Sequence, residues 1–276
     1  MKTFEVIKNC KLKKFTDSVF PQGAFCLSRL LSAKDIKVNG KRVNSDVALY
    51  TGDSVTYYTT PAQEEKKSHE VIFEDENIFV ADKFSGVASE GLSSELGDGF
   101  LPVHRLDRNT AGLIVFARNK EAQDELINVF KERKTEKIYL AVLKNGFIKK
   151  EDKLTAYLVK DADAALVRVF DRPLKGGAEI LTDYRVLEER DDLALAEIVL
   201  HTGKTHQIRA HMAHIGCPVL GDGKYGDGAL NKKYGLSRQV LLAKRLKIFS
   251  DGKLKYLSGK TFESTQSVVF PEKKGK

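Results

Sequence analysis

An α+β fold is predicted: a mixed, mostly antiparallel β-sheet with flanking helices, preceded by a small N-terminal α/β unit. Three observations carry that expectation. Beyond residue 70, short β-branched and aromatic runs between turn signals outnumber stretches of helical periodicity. Residues 59–70, TTPAQEEKKSHE, are polar, proline-punctuated and aperiodic, which separates two structured stretches. Before them, a helical pattern is followed by a hairpin signal. The implied division is an N-terminal unit at 1–62, a linker at 63–70, a main domain at 71–270 and a basic tail at 271–276.

Element by element, Leu12, Phe15 and Val19, then Phe25, Leu27, Leu30 and Leu31, recur at helical spacing around the break Pro21-Gln22-Gly23 and predict two short helices. Ile36-Lys37-Val38 and Arg42-Val43 flank Asn39-Gly40, a dipeptide suited to consecutive positive φ angles, and predict a hairpin. A strand at 54–58 leads into the linker. In the main domain, strands at 71–73 and 78–81 flank a polar turn, and 113–117 is another apolar strand. Residues 119–134 read as a helix, with Ala122, Leu126, Val129 and Phe130 on one face. Strands follow at 139–143, 165–170, 184–187, 193–200 and 241–249, interrupted by a short helix from Thr205, its expected cap, to about Ile215.

A chain of 276 residues can bury a full core, and it contains no apolar run near the roughly 20 residues of a membrane helix. The first residues, MKTFEVIKNCKLKK, lack the apolar stretch of a secretory signal. Cys10, Cys26 and Cys217 are scattered and form no CxxC pair, as expected of reduced thiols in a cytoplasmic protein. Neither a phosphate-binding loop nor a glycine-rich dinucleotide fingerprint occurs, so no motif supports a bound nucleotide cofactor. The formal charge of +8 favours a polyanionic partner. Residues 1–62 concentrate it, with 10 Lys or Arg against 5 Asp or Glu. Without coiled-coil heptads, a monomer is expected.

Chemistry points to two stretches. In LPVHRLDRNTAGLIVFA, residues 101–117, a charged cluster immediately precedes a buried-looking strand. Asp107 there is either a turn residue capping backbone N–H groups or a functional carboxylate. In LHTGKTHQIRAHMAHIGCPVLGDGKY, residues 200–225, a turn feeds a helix that carries Gln207, Arg209 and His211. If Arg209 meets Asp107, the ion pair keeps the carboxylate ionised and oriented, as a nucleophile or base requires.

HRLDRNTAGL at 104–113, EKIYLAVL at 136–143 and TGKTHQIRAHMAHIGCPVLGDGKYG at 202–226 together resemble the RluA-type family of RNA pseudouridine synthases, across most of residues 71–250. The N-terminal helices and the phrase IKVNGKRVNSDVALYTGDSV are similar to the small RNA-binding module of the S-four (αL) type. The resemblance implies a catalytic role for Asp107 and nucleotide extrusion by Arg105. It also implies that Tyr139 stacks on the flipped base and moves its C5 proton, that Arg209 pairs with Asp107, and that Ile208 packs against the site. Arg29, Lys34, Lys37, Lys41 and Arg42 are the expected RNA contacts of the module. RNA is the implied partner, with large-subunit ribosomal RNA favoured over transfer RNA. Ala111 stands where the family more often has serine, Lys204 where it has arginine, and the segment after Leu246 lacks its histidine-proline pair.

Isomerising uridine breaks the C1′–N1 bond and joins C1′ to C5, which inherently needs no metal, cofactor or redox equivalent. A carboxylate can attack C1′ or remove a sugar proton. Flipping the base out of its stack costs a few kcal/mol, offset by an aromatic platform and cationic phosphate contacts. Other readings compete. His201, His206, His211, His214 and Cys217 lie close in sequence, but their spacing matches no metal motif, and His104 and His206 read as structural hydrogen-bonding residues. Tyr139 on an apolar strand suits packing, and a non-catalytic RNA binder would keep the basic module but has no need for Asp107.

Overall fold

A computed structural model describes residues 1–19, 27, 30–60, 67–161 and 166–274. Arg29 and Cys26 lie outside the described residues.

The N-terminal unit comprises β1 (Lys2–Glu5), β2 (Cys10–Lys11), α1 (Leu12–Val19), β3 (Ile36–Val38), β4 (Lys41–Arg42), β5 (Ala48–Leu49) and β6 (Ser54–Tyr57). Residues 27 and 30–32 are helical, as the second apolar pattern implies. Strands β1-β6-β3-β4 form an antiparallel sheet, and β2 pairs with β5. The β3–β4 turn has Asn39 at φ 49° and Gly40 at φ 79°, the positive pair that an Asn-Gly hairpin supplies. Leu12, Phe15, Leu30, Ile36, Val55 and Tyr57 close a separate small core.

The main domain follows as β7 (His69–Glu74), β8 (Ile78–Lys83), α2 (Ser89–Leu96), β9 (Leu101–Pro102), β10 (Ala111–Ala117), α3 (Lys120–Lys131), β11 (Thr135–Lys144), β12 (Glu151–Asp161), β13 (Leu166–Phe170), β14 (Ala178–Arg190), β15 (Leu193–Leu200), α4 (Gln207–His214), α5 (Gly228–Lys233), β16 (Leu241–Ile248) and β17 (Thr261–Glu263). Eleven strands form one sheet in the order β13-β12-β14-β15-β11-β16-β10-β8-β7, with β17 on β16 and β9 on β10. Only β10–β16 is parallel; the remaining pairings of this sheet are antiparallel. No helix among the described residues is long and apolar enough to cross a membrane.

Several boundaries differ from the sequence-based expectation. Strand β7 starts inside the expected linker, because His69 and Glu70 pair with Lys83 and Asp82. The helix expected over 119–134 starts as Asn119 accepts from the Ala122 N–H at 2.9 Å, but ends at Lys131, as Arg133 turns left-handed at φ 61°. Strand β12 and helix α2 had no clear periodic signal. The basic tail packs back on the domain: the Lys274 N–H donates to the Lys233 carbonyl at 3.1 Å, and Lys273 pairs with Asp191 at 2.6 Å.

Two joints position the loop that carries Asp107. Strand β10 enters beside β16 at Gly112, φ +105°, where an added Cβ would lie 2.3 Å from the Ala243 carbonyl oxygen. Gly112→Ala is therefore expected to cost about 3 kcal/mol or more, from backbone strain plus overlap, read as a lower urea midpoint. The second joint is the Arg108–Asp17 ion pair, which ties the loop before β10 to α1 of the N-terminal unit.

Candidate active site

The loop carrying Asp107 is held from below by β8 and from the side by α2. Lys83, fully buried at the end of β8, donates to the carbonyls of Thr110 at 2.6 Å, Val87 at 2.9 Å and Arg108 at 3.1 Å. Burial pulls its ammonium down to about 7, while the nearby Asp107 charge opposes that shift. The Ser89 hydroxyl bridges the Leu106 backbone, accepting from its N–H at 3.1 Å and donating to its carbonyl at 2.9 Å. The Thr110 N–H closes the turn onto the Asp107 backbone carbonyl at 3.0 Å. The Asp107 side chain faces Arg209 instead of serving as that turn's cap.

Arg209 Nη1 donates to Asp107 Oδ2 at 2.7 Å. The same guanidinium grips Asp222, with Nε to Oδ2 at 2.6 Å and Nη2 to Oδ1 at 2.8 Å. Asp222 is fully buried and also accepts from the Lys224 N–H at 2.8 Å and the Tyr225 N–H at 3.2 Å. Burial opposes the Asp222 charge, but the Arg209 hydrogen bonds and charge hold its carboxyl below the usual range. Burial likewise opposes the Arg209 charge, and Asp222 and Asp107 outweigh it, so the guanidinium is more firmly protonated than usual. Asp222 thus fixes the arginine, and the arginine aims at the one partly exposed carboxylate.

The helix that brings Arg209 into place is not capped by Thr205. It starts at Gln207, because His206 adopts a left-handed φ of 54°, outside the extended geometry of an ordinary cap. The Gln207 side chain organises the entry instead, accepting from the Lys204 N–H at 3.0 Å and the Thr202 hydroxyl at 2.8 Å, and donating to the Leu181 carbonyl at 3.1 Å. The His206 conformation puts Nε2 3.8 Å from Asp107 Oδ1 and Nδ1 2.9 Å from the Tyr225 hydroxyl. Burial lowers its pKa, with Asp107 opposing, so the imidazole is neutral near pH 7.

A cleft of about 510 Å³ opens over this network, and Asp107, Tyr139, Arg209, Arg105 and Ile208 all line it. Tyr139 belongs to the apolar core as well as the cleft wall. Burial, then the Asp107 charge, pushes its phenol well above its ordinary pKa. Arg105 is exposed and pairs with Glu90 at 2.9 Å. Among the described residues, six cations, Arg105, Lys131, Arg133, Lys137, Lys204 and Arg209, line this cleft against the single carboxylate Asp107. The arrangement suits an anionic chain with one reacting centre at Asp107.

Sequence reasoning missed Lys83, Asp222 and Tyr225 as parts of the site. Asp222 and Tyr225 fall in the GDGKY run, where Asp-Gly reads only as a turn; Lys83 had no local signal. Among the clustered histidines, His201 pairs with Asp183 at 2.9 Å, His211 meets the Thr182 hydroxyl at 3.1 Å and His214 pairs with Asp171 at 2.7 Å. His104 stacks on Phe130 and accepts the Val115 N–H through Nε2 at 3.0 Å, so its neutral form is required.

Burial, with the Lys137 charge adding, pulls His104 down to about 3, and burial pulls His211 to about 4. Both folded pKa values lie below the unfolded one near 6.5, so the unfolded chain binds more protons as pH falls. Stability is expected to be full above about pH 6.5 and to fall toward pH 4 by about 1.4 kcal/mol per pH unit for each histidine. Urea unfolding at pH 7 and 4.5 checks this, and His104→Gln should remove roughly half of the histidine-linked slope.

The profile of the RNA pseudouridylate synthase family matches residues 56–214. A protein of Aquifex aeolicus named as an uncharacterized RNA pseudouridine synthase is 34% identical over 249 residues, covering 78% of this chain and 77% of its own. A ribosomal large subunit pseudouridine synthase C of Rickettsia bellii is 29% identical over 255 residues, covering 80% and 84%. The solved human RNA pseudouridylate synthase domain containing 1 shares the fold, with a TM-score of 0.59 at 24% identity over 73% of this chain and 90% of that one. A family match over more than half the sequence, spanning the whole Asp107–Arg209 pair, shows that the chain belongs to the RNA pseudouridylate synthase family and is an isomerase that makes pseudouridine in RNA.

Proposed function

We propose that this enzyme modifies uridines of large-subunit ribosomal RNA in the cytoplasm, as a monomer, with Asp107 as its essential carboxylate. The observation that carries the catalytic part is the Arg209 clamp, which joins an inward-facing Asp107 to the buried Asp222. The ribosomal target is favoured by relatives named for that substrate in Rickettsia and Vibrio.

In this reading, residues 1–62 are the RNA-binding module and 71–270 the catalytic domain. Lys34, Lys41 and Arg42 are exposed on the module. Lys37 Nζ and Arg42 Cζ lie 5.3 Å and 5.9 Å from the centre of the Tyr58 ring, a basic surface with an aromatic face suited to single-stranded RNA. Arg105 leaves Glu90 for the RNA as the target nucleotide swings out; an exposed ion pair of about 0–1 kcal/mol gives way easily to a phosphate. The uracil then stacks on Tyr139 above the Ile208 side chain. Asp107, ionised and oriented by Arg209, acts at the ribose, either by attack on C1′ or by removal of a sugar proton. Tyr139 stays protonated at neutral pH, so it starts the reaction as an aromatic platform, with its hydroxyl available for proton exchange at C5.

The test is a pseudouridine map of total RNA from cells with the gene intact, deleted, and restored as wild type or Asp107→Asn. Loss of sites in large-subunit ribosomal RNA, rescued by wild type alone, supports the reading. Loss confined to transfer RNA overturns the target, and rescue by the asparagine form overturns the role of Asp107.

A further inference from the structure

We propose that Lys137 and Arg133 form a phosphate clamp in the wall of the Asp107 cleft, gripping the RNA backbone beside the uridine being isomerised. The inference rests on the family's activity on RNA and adds two contacts to it.

Lys137 lies two residues before Tyr139 on β11, and both side chains line the cleft. Its ammonium is partly buried, and no carboxylate among the described residues stabilises it; burial and the Arg133 charge both pull its pKa down, to about 8. Other partly exposed lysines of the domain are matched: Lys144 with Asp227 at 2.9 Å, and Lys244 with Glu263 at 3.1 Å. Two cations held together without a counter-ion are costly unless a ligand supplies the negative charge.

Arg133 sits where glycine would fold more easily. At the end of α3, the Lys134 N–H donates to the Val129 carbonyl at 2.9 Å and the Arg133 N–H to that of Phe130 at 3.3 Å, leaving Arg133 left-handed. That position favours glycine, because a Cβ is strained there. A long cationic side chain at this point is explained by what it reaches, the same cleft as Lys137. Gly203 approaches the ammonium with no side chain of its own; a methyl group there would stand 3.6 Å from Lys137 Nζ. The chemistry that satisfies all three features is a phosphodiester oxygen, which accepts from an ammonium and a guanidinium together.

A synthetic stem-loop RNA carrying the mapped uridine tests this, made with its natural backbone or with one neutral methylphosphonate on either side of that uridine. Binding and pseudouridine formation are read separately. Lys137→Met is expected to weaken binding of the natural RNA about tenfold, with a shallower salt dependence, while Lys137→Arg stays within about threefold of wild type. One methylphosphonate should weaken wild-type binding about tenfold and have little further effect on Lys137→Met. Arg133→Gly should weaken binding yet unfold at or above the wild-type midpoint, which a purely structural arginine would not do. If the Lys137→Met and methylphosphonate effects multiply, or neither linkage matters to wild type, the clamp is refuted. Tight binding by wild type without any pseudouridine formed would count against the catalytic reading and leave the clamp standing.

Discussion

Asp107→Asn is expected to lower turnover by at least about 10³-fold while RNA binding stays within a few-fold of wild type. Asparagine has the shape of aspartate, and its carbonyl can still accept the 2.7 Å bond from Arg209 Nη1. The guanidinium does not depend on it, because Asp222 holds Arg209 through two further bonds. The fold should therefore survive, with urea stability within about 1 kcal/mol of wild type. What disappears is the negative oxygen, which in the proposed reading either attacks C1′ or removes a sugar proton. Removing the carboxylate that faces six cations among the described residues of the cleft should also make the variant hold anionic RNA at least as well. Single-turnover conversion of the mapped stem-loop, with binding measured in parallel, separates these effects. Residual conversion within tenfold of wild type would remove Asp107 from the chemistry.

Asp222→Ala is expected to damage both stability and catalysis. Its carboxylate is fully buried, takes two bonds from Arg209 and accepts two backbone N–H groups. Deleting it leaves a largely buried guanidinium with Asp107 as its remaining carboxylate and strands the Lys224 and Tyr225 N–H groups. Loss of one member of such a buried pair costs about 3–5 kcal/mol, a large share of a typical domain's stability. Arg209 should then shift, and Asp107 with it, lowering the single-turnover rate by about 10–100-fold in protein that is still folded. Asp222→Asn should recover part of the stability, since it keeps an acceptor for the backbone, but it turns one N–H group toward the guanidinium. Urea titration and single-turnover rates on both variants check the ordering; wild-type stability in Asp222→Ala would refute the anchoring role.

Asp82 shows the same logic away from the site. Buried at the end of β8, it accepts from the Ser264 hydroxyl at 2.8 Å, the Thr265 N–H at 2.8 Å and the Gln266 side-chain amide at 2.5 Å. The C-terminal segment is thereby sewn to the strand that also carries Lys83. No local pattern announces such a contact, because its partners are more than 180 residues apart.

Local interactions made much of this protein legible. The Asn39-Gly40 hairpin, the start of α3 just after Asn119 and its apolar face depend on residues within a few positions of one another, so turn chemistry and periodicity suffice to find them. The charged cluster around Asp107 and the cation at Arg209 stood out for the same reason, as polar groups set against apolar runs. Strand β12 escaped notice because only two of its eleven residues, Ala156 and Leu158, are buried, too few to give a clear alternation. Helix α4 was found with the wrong start, since its entry is organised by Gln207 reaching back to Leu181 on another strand. The sequence by itself determined the fold class, the hairpins and the kinds of groups available to the site. Tertiary structure alone decided which cation meets which carboxylate, placing Asp222 behind Arg209, Lys83 beneath the Asp107 loop and Lys137 in the cleft with no carboxylate partner among the described residues. These pairings join distant segments through a shared sheet, and pairwise electrostatics has no periodicity from which a linear sequence can be read.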